Sequence, residues 1–444
     1  MNLVSFSIRT KGAHNFVRRL RTVFTRFGFS DGVTRRSLFA LLQALQPYQT
    51  APTFFIPAVV LNRHPKLIAE IARRGAEIGI HGHVHNDYRT LNADQQYTQT
   101  QQAIAIFNQT QIDYAGFRNP YLGWNEESLD VFRQLGFHYE SNEAVLHDVI
   151  DLDDFSPLLQ SGFTKSLALF QAIPCTAYTL RPHFEEELLR IPTSIPDDEI
   201  LFDRLRITNP QQVGDIWSQV MQHVYAQQGI YTLNIHPERG ILCKQALESL
   251  LTYASSQALP VWITRLDEVA TWWRERRDFR LSVTPLDTQR WQVHATCTPR
   301  ATILGRHLSV EQHPTRPWPG NEQHIEAREF IVQAAQFPCL ALSPRTPVEV
   351  EDFLHEQGYG VVTGIAENAH TDYACYLDLP DGLGQERKEQ IRLRSELVQK
   401  IETLDAPLVR FGHWPSGQRA ALAISGDIDS VTIQDFFLRI VEVH

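Results

Sequence analysis

The amino-acid sequence predicts an α/β protein: a (β/α) barrel-like parallel sheet of seven to eight strands, followed by a small β module and a C-terminal α/β segment. Three observations carry this. Up to about residue 275, short apolar runs rich in β-branched and aromatic residues alternate with longer stretches of helical period. From about 280 to 345 the pattern turns to period two with prolines between the runs. Beyond that, strand and helix patterns mix again. The 444 residues exceed one ordinary domain. They divide as a barrel over 1–275, a small β module over 276–345, an α/β accessory segment over 346–405 and a tail over 406–444.

Along the first part the predicted strands are "LVSFSI", "TFFIPAVV", "AEIGIH", "AGFRNPY", "HYESN", "LLRIPTSI", "IYTLNIH" and "VWITRL". Between them, "HPKLIAEIARRG", "NEESLDVFRQLG" and "KQALESLLTYASS" place apolar residues at i, i+3, i+4 and i+7 with glycine or proline at their ends. Eight strand–helix units in succession predict a parallel sheet closed or nearly closed into a barrel, with its site at the C-terminal ends of the strands. "RLSVTPL", "RWQVHATC" and "ATILGRHLSV" read as antiparallel strands of the β module. "VEVEDFLHEQGYGVVTG" then reads as a helix and a strand, and "QERKEQIRLRSELVQKIETL" as a charged helix. In the tail, "HWPSGQRAALAISGDIDS" gives a turn, a strand and a carboxylate pair ahead of a last helix.

Composition sets the outer limits. With 43% hydrophobic and 21% charged residues the chain has the make-up of a soluble globular protein, and no apolar run approaches 18 residues. No membrane span is expected. The N-terminus is basic but lacks the apolar core of a signal peptide, so a cytoplasmic location is expected. Five scattered cysteines, none in a C-x-x-C pair, argue against a disulfide framework or a thiolate zinc site. A net charge of −10 without a large basic cluster gives no case for nucleic acid.

Four polar motifs fall directly after predicted strands: "HGHVH", "RNPY", "PDDE" and "HPER". His81 and His85 stand four residues apart, a spacing that brings imidazoles together on one turn or on a tight loop leaving a strand. Neutral imidazoles converging this way suit zinc or a similar divalent ion.

"TFFIPAVVLNRHPKLIAEIARRGAEIGIHGHVH" and "GFRNPYLGWNEESLDVFRQLGFHYES" resemble, in that order, the polysaccharide deacetylases (NodB homology domain, carbohydrate esterase family four). The likeness extends over about residues 1–275, with Gly82 where the family prefers Ser or Thr. The resemblance implies that His81 and His85 hold a divalent metal, Zn2+ before others, that lowers the pKa of a bound water and polarises an acetamide carbonyl. It implies that Arg118 orients the catalytic carboxylate and that the Tyr121 backbone N–H helps hold the oxyanion. His236 takes the place of the late-strand histidine that protonates the leaving amine. His83 matches no family ligand.

The family's first strand ends in two aspartates, a base and a third metal ligand. Here Arg9 and Thr10 stand where those carboxylates belong, and a guanidinium neither accepts a proton from water nor binds a cation. Three other sources are open. Asp31 in "GFSDG" superficially resembles the missing motif. "HWPSGQRAALAISGDIDS" looks like the opening of a deacetylase domain, with Asp427 as base and Asp429 as metal ligand, or else like the start of a second copy. Asp197, Asp198 and Glu199 in "PDDE" offer a carboxylate from another wall or a helix cap.

The function expected is a metal-dependent hydrolase that removes N-acetyl groups from a polysaccharide or glycan precursor. Its partner is then an N-acetylated carbohydrate, and a homo-oligomer is compatible with the sequence. The rivals are a degenerate barrel that binds carbohydrate without turnover, motivated by Arg9 and Thr10, and a glycoside hydrolase using "PDDE" with Glu238 as opposed carboxylates.

Overall fold

The computed structural model describes residues 26–366 and 371–443. The expected strand "LVSFSI", with Arg9 and Thr10, lies outside the described residues. One large sheet organises the molecule. Its strands are β1 (Thr53–Ile56), β2 (Glu77–Ile80), β3 (Gly116–Phe117), β4 (Tyr139–Glu140), β5 (Ala144–Leu146), β6 (Ile173–Pro174), β7 (His183–Glu185), β8 (Leu188–Arg190), β9 (Thr193–Ile195), β10 (Ile230–Asn234), β11 (Val261–Thr264) and β12 (Ala420–Asp427). They run in the order β6-β5-β9-β10-β12-β1-β2-β3-β4-β8-β7, with β11 also pairing β12. Every pairing is parallel except that of β7 with β8. The result is a curled, mostly parallel α/β half-barrel, accompanied by smaller sheets.

The central strands are continuous apolar runs because helices cover one face and the barrel interior the other. All four residues of β1 and all eight of β12 are buried. The helices show the matching stripe: Val213, Ile216, Trp217, Val220, Met221 and Val224 are the inward positions of helix Pro210–Ala226, spaced by three and four. Helix Gly32–Leu45 does the same with Leu38, Leu41, Leu42 and Leu45.

Two strand readings change in the structure, and three short strands are added. "TFFIPAVV" is strand only to Ile56, because Pro57 has no N–H for a ladder and the chain turns there into helix Ala58–Arg63. "LLRIPTSI" is two strands: β8 pairs β4, while β9 pairs β5 and β10, so the segment around Pro192 bridges two arms of the sheet. Strands β5, β6 and β7 are two or three residues long, too short to show a period.

The last strand in the chain lies in the middle of the sheet. Along one edge β12 pairs β10, Ile230 with Ala421 through Asn234 with Ser425. Along the other it pairs β11 over Ala420–Ala423 and then β1, Phe55 facing Asp427. Gly426 is required there: a Cβ would come within 2.2 Å of the Ile235 carbonyl oxygen.

Residues 280–333 form antiparallel strands in two sheets, one of which also takes Leu408–Phe411 from the tail. Strand Phe337–Leu342 instead joins a parallel sheet with Val361–Val362 and Tyr373–Leu377. These modules pack under the N-terminal ends of the barrel strands, where Trp262, Trp272, Trp273 and Trp414 gather. Trp414 stacks obliquely on Trp273, ring centres 5.4 Å apart. Among the described residues no helix is long and apolar enough to cross a membrane.

Candidate metal and acid–base site

At the C-terminal ends of β2, β3, β10 and β12 the sequence-selected side chains meet. His81 follows β2 directly, and its backbone N–H bonds to the Ile56 carbonyl of β1, which holds the loop root against the sheet. The loop then turns at Gly82 with φ +83°, a conformation that side chains such as Ser or Thr rarely adopt. His81 Nδ1 lies 2.7 Å from the Arg118 carbonyl oxygen, so it is the donor there and Nε2 is the nitrogen left to face Asp429.

Nε2 of His81 is 3.5 Å and Nε2 of His85 3.2 Å from Asp429 Oδ1. Yet that buried oxygen has no hydrogen-bond donor. Three ligand-type atoms within 4.8 Å of one another, two imidazole nitrogens and one carboxylate oxygen, make a donor set that fits a divalent cation such as zinc. Burial lowers the His85 pKa, with Asp429 only partly opposing it, so the ring is neutral and free to ligate. Burial alone would raise Asp429, but the neighbouring His85 and Arg439 outweigh it and hold the carboxyl well below the usual range. His83 is outside this group.

Asp427, at the end of β12, faces Arg118. The guanidinium is fully buried, lies over the Phe55 ring at 4.4 Å and reaches Asp427 Oδ1 at 3.2 Å. Its other donors go to Ser141, Thr193, Asn234 and Ser425, which fix its plane. Asn234 Nδ2 donates to Asp427 Oδ2 at 3.1 Å, so each carboxylate oxygen has one donor. β10 ends two residues before His236, its last pairing being Asn234 with Ser425.

His236 Nδ1 is 2.7 Å from Asp198 Oδ1, and Asp198 also accepts from the His236 backbone N–H and from Arg239. Burial would depress the imidazole, but the Asp198 charge dominates and raises its pKa well above the ordinary value. The ring is thus a cation at neutral pH. Asp197, pushed up to about 7 by burial and by Asp198, caps the Ile200 N–H. Glu199 pairs with Arg204.

Tyr121 sits at φ +61° in the turn Pro120–Leu122, with its ring edge-on to His85 at 4.7 Å. As the second residue of a 3-10 turn its N–H has no acceptor within that turn.

One candidate is not brought to this place, and one expected pairing of carboxylates is not formed. Asp31 precedes helix Gly32–Leu45 and pairs with Arg35 at 3.3 Å, a surface contact. Asp198 and Glu238 both engage Arg239, at 3.1 and 3.6 Å, so they share a partner rather than facing each other across a cleft. Two participants carry no motif in the sequence. Asn234 could have been found from its i, i+2 spacing to His236, whereas Arg439, in the last helix, gives no local signal at all.

Fold and site together describe a mostly parallel α/β half-barrel with a histidine–carboxylate cluster at the C-terminal ends of its strands. Residues 26–139 match the family model described as polysaccharide deacetylase, so the resemblance in the motifs is shown over that segment. The match includes His81, His85, Arg118 and Tyr121 and stops before His236, Asp427 and Asp429. No curated protein gives a match. Solved structures with partial overlap include a probable polysaccharide deacetylase from Pseudomonas aeruginosa PAO1, with 21% identity and a TM-score of 0.40 over 54% of this chain and 73% of that one. PuuE allantoinase gives 18% identity and 0.41 over 54% and 72%. A carbohydrate esterase family four pseudoenzyme from Bacillus anthracis gives 13% and 0.24 over 42% and 57%. None of these overlaps bears on activity.

Proposed function

We propose that the protein is a metal-dependent hydrolase that removes N-acetyl groups from a polysaccharide or glycan precursor. The observation that carries this is the insertion of β12 between β10 and β1, which sets Asp429 Oδ1 against both imidazoles and Asp427 against Arg118. His81, His85 and Asp429 would hold the ion. A divalent cation bound there supplies Lewis-acid polarisation of the acetamide carbonyl and of the attacking water.

The chain's own groups account for the proton movements. Asp427, kept oriented by Arg118 and Asn234, accepts the proton from the water that attacks the amide carbon. The Tyr121 N–H donates to the carbonyl oxygen as negative charge develops on it. His236, cationic beside Asp198, delivers a proton to the departing nitrogen as the C–N bond breaks. Acetate and a free amino sugar leave.

The test is acetate release from N-acetylglucosamine oligomers by zinc-loaded protein. Asp427→Asn is expected to lower turnover by about 10²–10⁴-fold with bound zinc unchanged. His236→Ala is expected to do the same. Protein that never retains zinc, yet binds the oligomers, would overturn the hydrolase in favour of a carbohydrate-binding barrel.

A further inference from the structure

Beyond the three ligand-type side chains, a fourth group controls the geometry. Arg439, in helix Ile433–Glu442, donates from Nη1 to Asp429 Oδ2 at 2.5 Å. The other oxygen, Oδ1, is the one turned to His81 and His85. The two oxygens of one carboxylate thus have separate tasks.

The helix that carries Arg439 is tied to the barrel independently of this contact. Its first turn has a capping box between Thr432 and Asp435. Asp435 is in turn bound by His64 Nε2 at 2.7 Å and by Arg63 at 3.2 Å. Arg63 also pairs with Glu442 at the far end of the helix. Thr34 Oγ1 holds the Val431 carbonyl at 2.6 Å, and the Ile433 N–H holds that of Gly28 at 3.0 Å. Arg439 therefore projects from a fixed platform, its guanidinium over the Phe436 ring at 5.5 Å. Asp429 itself lies beyond the end of β12, where no ladder restrains it.

We infer that Arg439 is a positioning residue, fixing Asp429 so that it ligates through Oδ1 alone; this rests on the metal reading above. A carboxylate with one oxygen in a charge-assisted hydrogen bond is held in one rotamer and cannot chelate through both oxygens. Without that bond Asp429 gains side-chain freedom, which ion binding must then remove. The repulsion between guanidinium and ion opposes this effect. It is the lesser one because the Asp429 carboxylate, hydrogen-bonded to Arg439, lies between the two cations and offsets their charge. Partners of metal ligands elsewhere are worth about 10–100-fold in affinity.

The experiment measures zinc affinity by competition with a chromophoric chelator, and the visible absorption spectrum of the cobalt(II)-substituted protein. Arg439→Met, which keeps an unbranched apolar stem, is expected to bind zinc about 10–100-fold more weakly. Its cobalt spectrum is expected to lose intensity as Asp429 Oδ2 becomes free to ligate. Arg439→Lys, which keeps a charged donor, recovers part of both. Equal or tighter zinc binding by Arg439→Met, with an unchanged cobalt spectrum, would overturn the inference and leave the metal reading standing. Loss of folding in Arg439→Met would assign the residue a structural role and also overturn it. A wild-type protein that binds neither zinc nor cobalt(II) would overturn the metal reading itself.

Discussion

The two ends of the half-barrel are built from similar residue types and treat polar groups in opposite ways. At the N-terminal end of the strands, the indole N–H groups of Trp272, Trp273 and Trp414 donate to the His413 carbonyl, Glu356 and the Gln228 carbonyl at 2.7–2.9 Å. Arg410 forks onto both oxygens of Glu322 at 2.7 Å. A few buried atoms there also lack partners, among them His413 Nδ1 and Arg276 Nε. At the C-terminal end an unpartnered carboxylate oxygen and two imidazole nitrogens point at one another. Unsatisfied polar atoms are costly anywhere in a core. What separates a site from a flaw is that the unsatisfied atoms converge on a common point.

The difference can be tested from both ends. The largest effect is expected from Asp429→Ala, which removes one of three convergent ligand atoms: elemental analysis of the purified variant should find the zinc gone, with circular dichroism unchanged. A variant that retains stoichiometric zinc would detach β12 from the metal site.

Next comes the packed end. Trp414 is fully buried and precedes β12, so Trp414→Ala is expected to cost about 3–5 kcal/mol in urea unfolding. A loss below roughly 1 kcal/mol would mean that the indole cluster does not secure the inserted strand.

Smaller still is the response of the same end to pH. Burial pushes the Glu356 carboxyl up to about 7, with Trp273 and the Phe184 N–H only partly opposing it. The folded chain thus keeps a proton that the unfolded chain releases above about 4.3. This contribution is complete below the unfolded value and is lost as pH rises through 7. Between pH 5.5 and 8.5 the wild type should lose about 2 kcal/mol more than Glu356→Gln, measured from denaturation midpoints. Parallel pH dependence in the two proteins would rule out Glu356 as the source.

The finest distinction concerns His236. With its pKa raised by Asp198, the imidazolium persists at neutral pH, and turnover should fall only as pH climbs through that raised value. Asp198→Asn removes the charge responsible and should move the alkaline limb of the pH–rate profile to lower pH. An unmoved limb would assign it to another group.

Much of this was legible locally. A strand followed by a polar motif is a short-range pattern, so His81, His85, Arg118 and His236 announced their end of the sheet before any coordinates. Asp427 and Asp429 announced a strand-end carboxylate pair equally well, although more than 300 residues separate them from the two histidines. Period and proline position were enough for the helices and for most of the strands. They were not enough for β5, β6 and β7, which are defined by their neighbours rather than by their own residues.

What the sequence by itself determined, then, is most of the strand segments, which of them end in polar motifs, and that Arg9 and Thr10 are not carboxylates. Only the tertiary structure decided that β12 lies between β10 and β1, that Asp198 belongs to His236, and that Arg439 holds the second oxygen of Asp429. The reason is physical. A strand's apolar run fixes its burial but not its partner, since backbone hydrogen bonds are the same with any parallel neighbour. The choice is made by packing that spans the chain, such as the Ile235 carbonyl approaching Gly426 and Trp414 filling the floor beneath.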